Sequence, residues 1–300
     1  MTQVTAAISF TSYPIPTAYS YPFGITAGPD GALWFTESNT NKIGRITTSG
    51  VISEYPIPTA NSLPLGITAG PDGALWFTES NTNKIGRITT GGVISEYPTP
   101  TAGSSPDGIT AGPDGALWFT EQIGNQIGRI TTDGVITEYL LPTSGSSLSN
   151  ITAGPDGALW FTERNGNQIG RITTSGVISE YPIPTASSYP YDITTGPDGA
   201  LWFIELFGNQ IGRITTGGVI TEYLIPTSGS GPAGITAGPD GALWFTENGV
   251  NKIGRITTSG VIRETKSLGY NLGLTDITLG PDRALWFVES NLNAIGRIGP

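Results

Sequence analysis

The chain has 300 residues and a formal net charge of −10, and its 43 glycines and 23 prolines favour many tight turns. The acidic balance argues against a nucleic-acid partner, because phosphates require a surface rich in lysine and arginine. The chain has no cysteine, which excludes disulfides and thiolate metal sites, and it has no apolar run long enough to span a bilayer.

The predicted elements form one unit that is repeated along the chain. The first unit contains four short predicted strands, at 24–28, 32–37, 42–47 and 51–57. Pro29-Asp30-Gly31 suits the turn between the first two strands, and Ser49-Gly50 is typical of a two-residue hairpin between the last two. The unit returns every 42 residues, as the tryptophans show: Trp34, Trp76, Trp118, Trp160, Trp202, Trp244 and Trp286.

Seven units of four strands, with no helical periodicity, predict an all-β protein, a seven-bladed β-propeller of four-stranded antiparallel blades. The last unit stops after its third strand, at 295–300, whereas residues 8–16 match the fourth strand of the first unit. We therefore expect the N-terminal strand to complete the last blade, which removes two exposed sheet edges. On this interpretation residues 1–300 form a single propeller domain.

Two repeated residue types are interpreted as scaffold. One tryptophan per unit at an identical position predicts packing between neighbouring blades, where an aromatic ring buries much apolar area. With a two-residue turn at Ser49-Gly50, Arg45 would lie opposite Glu54, and the same offset would pair the arginine and glutamate of the next five units. Arg297 would lack such a partner, because Ser12 holds that place on the closing strand.

Variation between the units is concentrated in two segments, the one before the first strand and the one after the second. Both segments should emerge on one face, because successive strands alternate in direction. Propellers commonly bind ligands over such a face, at the mouth of the central channel. Its residues favour a small apolar or cyclic ligand and identify candidate contacts: Tyr21, Phe23, Asp107, Tyr191, Phe207, Tyr270 and Thr275.

A glutamate ends the second strand of every unit, and these residues should emerge on the same variable face: Glu37, Glu79, Glu121, Glu163, Glu205, Glu247 and Glu289. Seven carboxylates near one axis would repel one another unless donors or cations compensated them. Two interpretations stay open. Each glutamate accepts hydrogen bonds from the neighbouring blade's loop as a structural latch, or some of them hold a hard cation such as Mg²⁺ or Ca²⁺.

The phrases GPDGALWFTE (28–37), NKIGRITT (41–48) and ISEYPIPT (52–59) resemble the repeat of the virginiamycin B lyase family, over essentially the entire chain. The resemblance implies a seven-bladed propeller that linearises type B streptogramin antibiotics by eliminating across an ester C–O bond, with Mg²⁺ and a histidine base. It implies that Glu289 is a metal ligand. A second acidic ligand would lie at Gly273, and the base would lie at Thr275 or at equivalent positions before Gly-Ile in other units.

This chain departs from that pattern because it contains no histidine. The sequence therefore predicts a propeller scaffold with no catalytic residue and no required cofactor, binding a small molecule or a cation on its variable face. The alternative is a Mg²⁺-dependent C–O lyase with a rearranged site. A third arrangement, with Asn150, Asp192 and Asp276 as oxygen ligands for Ca²⁺ as in lactone-hydrolysing propellers, lacks an accompanying nucleophile or base. We expect a cytoplasmic monomer with no membrane or nucleic-acid partner.

Overall fold

The computed structural model describes residues 10–299, and its strands form seven separate four-stranded antiparallel sheets. The sheets are numbered here as blades 1 to 7 in chain order, and the innermost strands of successive blades contact one another around a closed ring. The predicted all-β, seven-bladed propeller is confirmed. No helix within residues 10–299 is long and apolar enough to cross a membrane.

The strands lie close to their predicted positions. Blades 1 to 3 comprise β2 (Pro22–Ala27), β3 (Leu33–Glu37), β4 (Lys42–Ile46), β5 (Ile52–Pro56); β6 (Pro64–Ala69), β7 (Leu75–Glu79), β8 (Lys84–Ile88), β9 (Ile94–Pro98); and β10 (Pro106–Ala111), β11 (Leu117–Glu121), β12 (Gln126–Ile130), β13 (Ile136–Leu140). Blades 4 and 5 comprise β14 (Leu148–Ala153), β15 (Ala158–Glu163), β16 (Gln168–Thr173), β17 (Ile178–Pro182); and β18 (Pro190–Thr195), β19 (Leu201–Glu205), β20 (Gln210–Ile214), β21 (Ile220–Leu224). Blade 6 comprises β22 (Pro232–Ala237), β23 (Leu243–Glu247), a 3₁₀ turn (Asn248–Val250), β24 (Lys252–Ile256) and β25 (Ile262–Glu264).

Blade 7 closes the ring with a strand from the other end of the chain. It comprises β26 (Leu274–Leu279), β27 (Leu285–Glu289), β28 (Ala294–Ile298) and β1 (Phe10–Pro14), and β1 pairs antiparallel with β28 from Phe10 opposite Ile298 to Pro14 opposite Ala294. This confirms closure by the N-terminal strand. Residues 8 and 9, which the sequence also placed in this strand, lie outside the described residues.

The core lies between blades, and each tryptophan joins one blade to the next. Trp34 of blade 1 packs with Leu75 and Phe77 of blade 2, and all three side chains are fully buried. The second strand, LWFTE, is buried along its whole length, whereas the outer strand alternates between more and less exposed residues. A strand that is covered by a neighbouring sheet on both faces shows no alternation between buried and exposed residues. Packing between blades is therefore the confirmed role of the tryptophans.

Each tryptophan is also held by the turn that precedes its strand. The Trp34 indole donates to Asp30 Oδ1 at 3.0 Å, Arg45 Nε donates to Asp30 Oδ2 at 2.7 Å, and the guanidinium lies 5.9 Å from the Trp34 ring centroid. Burial alone would raise the pKa of Asp30, but the hydrogen bonds from Trp34 and Arg45 outweigh it and lower the pKa. The ion pair recurs in every blade: Asp72–Arg87, Asp114–Arg129, Asp156–Arg171, Asp198–Arg213, Asp240–Arg255 and Asp282–Arg297.

The predicted pairing of Arg45 with Glu54 is wrong by one residue of register. Arg45 lies opposite Ser53, and Glu54 lies opposite Gly44. The connection is a three-residue loop closed by Thr47 and Val51, in which Gly50 adopts a φ of +89° that glycine tolerates. A one-residue shift moves a side chain to the other face of the sheet. Arg297, which was expected to lack a partner, forms the same ion pair as the other six arginines, with Asp282.

The closing strand should contribute to stability as much as an ordinary fourth strand does. Ile15, which follows β1, and Ile57, 42 residues later, are each 4% exposed and pack against the tryptophan of their own blade. Ile15→Ala and Ile57→Ala should therefore each lower the free energy of unfolding by about 2–4 kcal/mol. Guanidinium denaturation of both variants measures this, with exposed Thr11→Ala as a control expected to change it by less than about 0.5 kcal/mol. A much smaller effect of Ile15→Ala than of Ile57→Ala would contradict full closure.

Candidate functional site at the channel mouth

The two variable segments of each unit meet on one face of the propeller, as predicted. Pro22, at the start of β2, lies opposite Glu37, at the end of β3. The segments beyond these residues are joined by hydrogen bonds, from Ser38 N to Tyr21 O at 3.3 Å and from Asn39 N to Ser20 O at 3.0 Å. This face is called the variable face below.

A cavity of about 60 Å³ lies at the mouth of the central channel on the variable face. It brings together four of the seven candidate contacts, Phe23, Asp107, Tyr191 and Thr275. Each comes from the start of an innermost strand in a different blade. The remaining lining residues include Ser149, Asn150, Asp192, Ala233 and Asp276. Aromatic, hydroxyl and carboxyl groups therefore surround one opening.

Three candidate contacts lie away from the channel mouth. Phe207 stacks on Tyr189, with ring centroids 4.6 Å apart, beside a groove of about 320 Å³ at blades 4 and 5. Tyr21 lines a separate depression of about 180 Å³ at blades 7 and 1. Tyr270 is 89% exposed in the segment before β26. The aromatic residues of this face therefore form separate clusters and not one ring.

Sequence reasoning missed Arg164, which connects the channel mouth to the groove. Its guanidinium donates to Asp107 Oδ2 and to Ser149 Oγ, both at 2.6 Å, and it lies 4.9 Å from the Tyr191 ring centroid. Burial raises the pKa of Asp107 to about 6, and the charge of Arg164 limits that rise. A sequence signal existed, since Arg164 is the only basic residue that directly follows a strand-two glutamate.

The channel wall carries two carboxylates, buried Asp192 and half-buried Asp276, at positions where four blades have glycine. Asp192 Oδ2 accepts from the Ile235 amide of the next blade at 2.7 Å, and Asp276 Oδ2 accepts from the Ile25 amide at 2.8 Å. Asn150 donates its side-chain amide to Asp192 Oδ1. Burial, reinforced by the charge of Asp276, raises the pKa of Asp192. These side chains satisfy backbone amides on the inner edges of the sheets, which would otherwise cost free energy.

The glutamates that end the second strands do not gather at the channel. All seven are fully buried, and Glu37 accepts from Thr40 Oγ1 of its own blade at 3.0 Å. Each glutamate therefore lies at the variable-face end of its strand, as expected, but is buried within its blade and not exposed on that face.

A latch between blades does exist, but the fourth-strand glutamate makes it. Glu54 Oε1 accepts from the Thr17 amide at 3.3 Å, and Thr17 lies in the connection that enters blade 1 from blade 7. The same contact recurs at Thr59–Glu96, Thr101–Glu138, Thr143–Glu180, Thr185–Glu222 and Thr227–Glu264. In blades 1 to 6 the latch between blades is therefore made by the fourth-strand glutamate and not by the second-strand glutamate.

Glu37 and Glu54 of blade 1 form a carboxylic acid–carboxylate pair. Burial, followed by the charge of Glu54, raises the pKa of Glu37 to about 8. Burial would also raise the pKa of Glu54, but hydrogen bonds from Thr17 and from Glu37 lower it. Glu37 therefore carries the proton at neutral pH and donates it to Glu54, while Lys42 and Thr40 face the same pair.

The residues expected to hold Mg²⁺ do not form a ligand set around it. Glu289 is fully buried, its Oε2 accepts from Ser12 Oγ at 2.7 Å, and its Oε1 lies over Gly296 in blade 7. A Cβ built on Gly273 would lie 2.5 Å from Ser290 Oγ, so an acidic side chain does not fit there without rearrangement. Within residues 10–299 no group of three or more histidine, cysteine, aspartate or glutamate residues is arranged to hold a metal ion.

The chain is similar to virginiamycin B lyases over its whole length. The model of the virginiamycin B lyase family matches residues 1–147 and 141–300. A solved virginiamycin B lyase from Staphylococcus aureus is 47% identical, with a TM-score of 0.94, 98% of this chain and 100% of that chain being covered. A catalytically inactive histidine-to-alanine variant of virginiamycin B lyase from the same organism, solved with quinupristin, is 46% identical at a TM-score of 0.94 and the same coverage.

The curated relatives match over a much shorter stretch. A virginiamycin B lyase from Bacillus licheniformis is 51% identical over 45 residues, about the length of one repeat unit. That stretch is 15% of this chain and 15% of the relative, so this match spans only a small part of the relative's length.

The buried acid pair should make stability depend on pH. Between the ordinary pKa of 4.5 and the folded value of about 8, native Glu37 keeps a proton that the unfolded chain releases. Its contribution to the free energy of unfolding therefore falls as pH rises, by up to about 1.4 kcal/mol per pH unit. Glu37→Gln keeps a neutral side chain and loses this dependence, so the variant should gain stability relative to the parent between pH 5 and pH 8.

Guanidinium denaturation of parent and variant across that pH range measures the difference. Thr11→Ala, at an exposed position without a titratable group, is the control and should leave the pH dependence unchanged. Parallel stability curves for the parent and Glu37→Gln would show that Glu37 is not the proton carrier.

Proposed function

This chain belongs to the virginiamycin B lyase family, and we propose that it is a ligand-binding member without C–O lyase activity. The proposal rests on the residue found where the family resemblance implies a catalytic histidine. Thr275 holds that position, and its hydroxyl donates to the Phe23 carbonyl oxygen at 3.1 Å. No histidine is present anywhere in the 300 residues to replace it.

The loss of a base has a large kinetic consequence. Proton abstraction by a positioned side chain contributes about 10²–10⁴-fold to a rate, and it requires a group with a suitable pKa within hydrogen-bonding reach. A threonine hydroxyl already committed to a backbone carbonyl does not act as such a group. The two channel aspartates, Asp192 and Asp276, have their oxygens engaged by backbone amides.

Proton abstraction requires the histidine base, but binding of a ligand does not. The Staphylococcus aureus structure pairs a catalytically inactive histidine-to-alanine variant with quinupristin. In this chain the channel mouth offers aromatic faces from Phe23 and Tyr191, with Arg164 and Ser149 beside them. Aromatic walls with a few fixed polar groups suit a flat, cyclic, weakly polar ligand.

The other expectations stay part of this proposal. A chain with a net charge of −10 is poorly suited to nucleic acid. We propose a monomer that acts in the cytoplasm and requires neither Mg²⁺ nor Ca²⁺ to hold its ligand at the channel mouth.

The lyase alternative is tested directly by incubating the protein with a type B streptogramin and Mg²⁺ and searching for the linear product by mass spectrometry. We expect no product above the enzyme-free control. Turnover that is abolished by Glu289→Ala would establish a rearranged lyase site and overturn the proposal.

Binding is tested by calorimetric titration of the same antibiotic into the protein. Tyr191→Ala and Phe23→Ala should each weaken binding by about tenfold or more, because each removes an aromatic wall. Tyr270→Ala is the matched control, since Tyr270 is exposed on the same face but outside the three cavities described, and it should leave binding unchanged. Binding that is insensitive to Tyr191→Ala and Phe23→Ala would exclude the channel mouth as the site.

A further inference from the structure

The segment that follows the second-strand glutamate exists in two main versions within this chain. Blades 1 and 2 contain Thr-Asn-Lys, at 40–42 and 82–84. Blades 3, 4 and 5 contain Gly-Asn-Gln, at 124–126, 166–168 and 208–210. The two versions differ in both outer residues together, so they can be compared as alternative solutions to one structural problem.

The threonine–lysine version supplies donors and positive charge to the buried glutamate pair. In blade 1, Thr40 Oγ1 donates to Glu37 Oε2 at 3.0 Å, and Lys42 Nζ lies 3.6 Å from Glu54 Oε1. In blade 2 the equivalent distances, from Thr82 to Glu79 and from Lys84 to Glu96, are also 3.0 Å and 3.6 Å. Each pair of carboxyl groups therefore has a cation and a hydroxyl donor beside it.

The glycine–glutamine version removes both groups. Glu121, Glu163 and Glu205 are fully buried, and among residues 10–299 no lysine, threonine or backbone amide donates to their oxygens; their polar neighbours are Ser104, Ser146 and Ser188 and, for Glu121 and Glu205, the fourth-strand glutamate. The Oε1 atoms of Gln126, Gln168 and Gln210 are likewise buried without a donor from the described residues. Buried acceptors left without partners cost free energy, and more so when they are charged.

Other oxygen atoms lie beside these acceptors, and glycine leaves room next to them. In blade 4, a Cβ built on Gly166 would lie 3.0 Å from Glu163 Oε2 and 3.3 Å from Ser146 Oγ. The Ser146 hydroxyl donates to the Thr143 carbonyl oxygen at 3.0 Å, so its proton is directed away from the glutamate. In blade 5, a Cβ on Gly208 would lie 3.1 Å from Gln210 Oε1 and 3.2 Å from Glu205 Oε2.

The fourth-strand glutamate adds a second carboxylate to each group. Glu138, Glu180 and Glu222 lie beside Glu121, Glu163 and Glu205 respectively, and Glu138 and Glu180 also accept from Thr101 and Thr143. Two carboxylates, an amide oxygen and a hydroxyl oxygen are hard ligands of the kind that Ca²⁺ prefers. Mg²⁺ fits less well, because it demands strict octahedral geometry and keeps several waters.

We propose that blades 3, 4 and 5 each bind one Ca²⁺ ion inside the blade, between the second- and fourth-strand glutamates, where blades 1 and 2 place a lysine ammonium. One divalent ion neutralises both carboxylates of a pair. Glycine provides the space that threonine fills elsewhere, and glutamine contributes an oxygen where lysine contributes a charge. This inference is independent of the ligand proposed at the channel mouth.

The test uses the full-length chain, freed of metal with a chelator and titrated with CaCl₂ by calorimetry in a buffer of high ionic strength. We expect three ions per chain, a rise in melting temperature on binding and weaker binding of MgCl₂. Replacing Gly124→Thr and Gln126→Lys together gives blade 3 the chain's own alternative segment, so this variant should fold. The same exchange in blades 3, 4 and 5, made one after another, should reduce the number of bound ions to two, one and none.

The reverse exchange is the matched positive control. Thr40→Gly combined with Lys42→Gln gives blade 1 the glycine–glutamine segment and should add a fourth ion. Glu121→Gln should remove one ion without altering the other two. If the parent protein shows neither saturable Ca²⁺ binding nor a change in melting temperature at millimolar concentrations, a shared proton alone neutralises the pairs and the proposal is wrong. Binding that survives all three exchanges would also overturn it.

Discussion

The packing of one tryptophan across each blade boundary is the interaction on which the rest of the structure depends. A single four-stranded blade exposes both of its faces, and burying them requires a neighbour on each side. Trp34 fills the space between blades 1 and 2 beside Leu75 and Phe77. The turn aspartate fixes the indole through its N–H, and the same aspartate is neutralised by an arginine that lies over the ring. Repeated at each boundary, this unit sets the spacing that lets the ring close.

A scaffold held together in this way leaves the channel mouth free to differ from blade to blade. The positions that start the innermost strands line the channel, and in alternate blades they hold phenylalanine, aspartate, tyrosine and threonine. The resulting site is asymmetric: an ion pair between Arg164 and Asp107 lies on one side, and the carboxylates of Asp192 and Asp276 lie in the wall.

The buried glutamate pairs show how negative charge is neutralised inside the blades. Two carboxyl groups within one blade are tolerable only when a proton, an ammonium group or another cation lies between them. The sequence varies the groups next to each pair while the pair itself persists in six blades, and blade 7 substitutes Ser12 for the outer glutamate. The outer glutamate is retained because it also accepts the backbone amide of the incoming connection. Stability between blades and charge within blades are therefore coupled.

The sequence by itself determined the repeat, the strands, the number of blades and the closing strand, because strand and turn patterns are local and the 42-residue spacing is unbroken. It also predicted Phe23, Asp107, Tyr191 and Thr275 at one opening, since equivalent positions in a ring converge on its axis. Only the tertiary structure decided the register of Arg45, which a single extra loop residue changed, and the full burial of Glu37. It alone brought Arg164 to Asp107, because a contact between residues 57 positions apart depends on packing between blades and leaves no periodic trace.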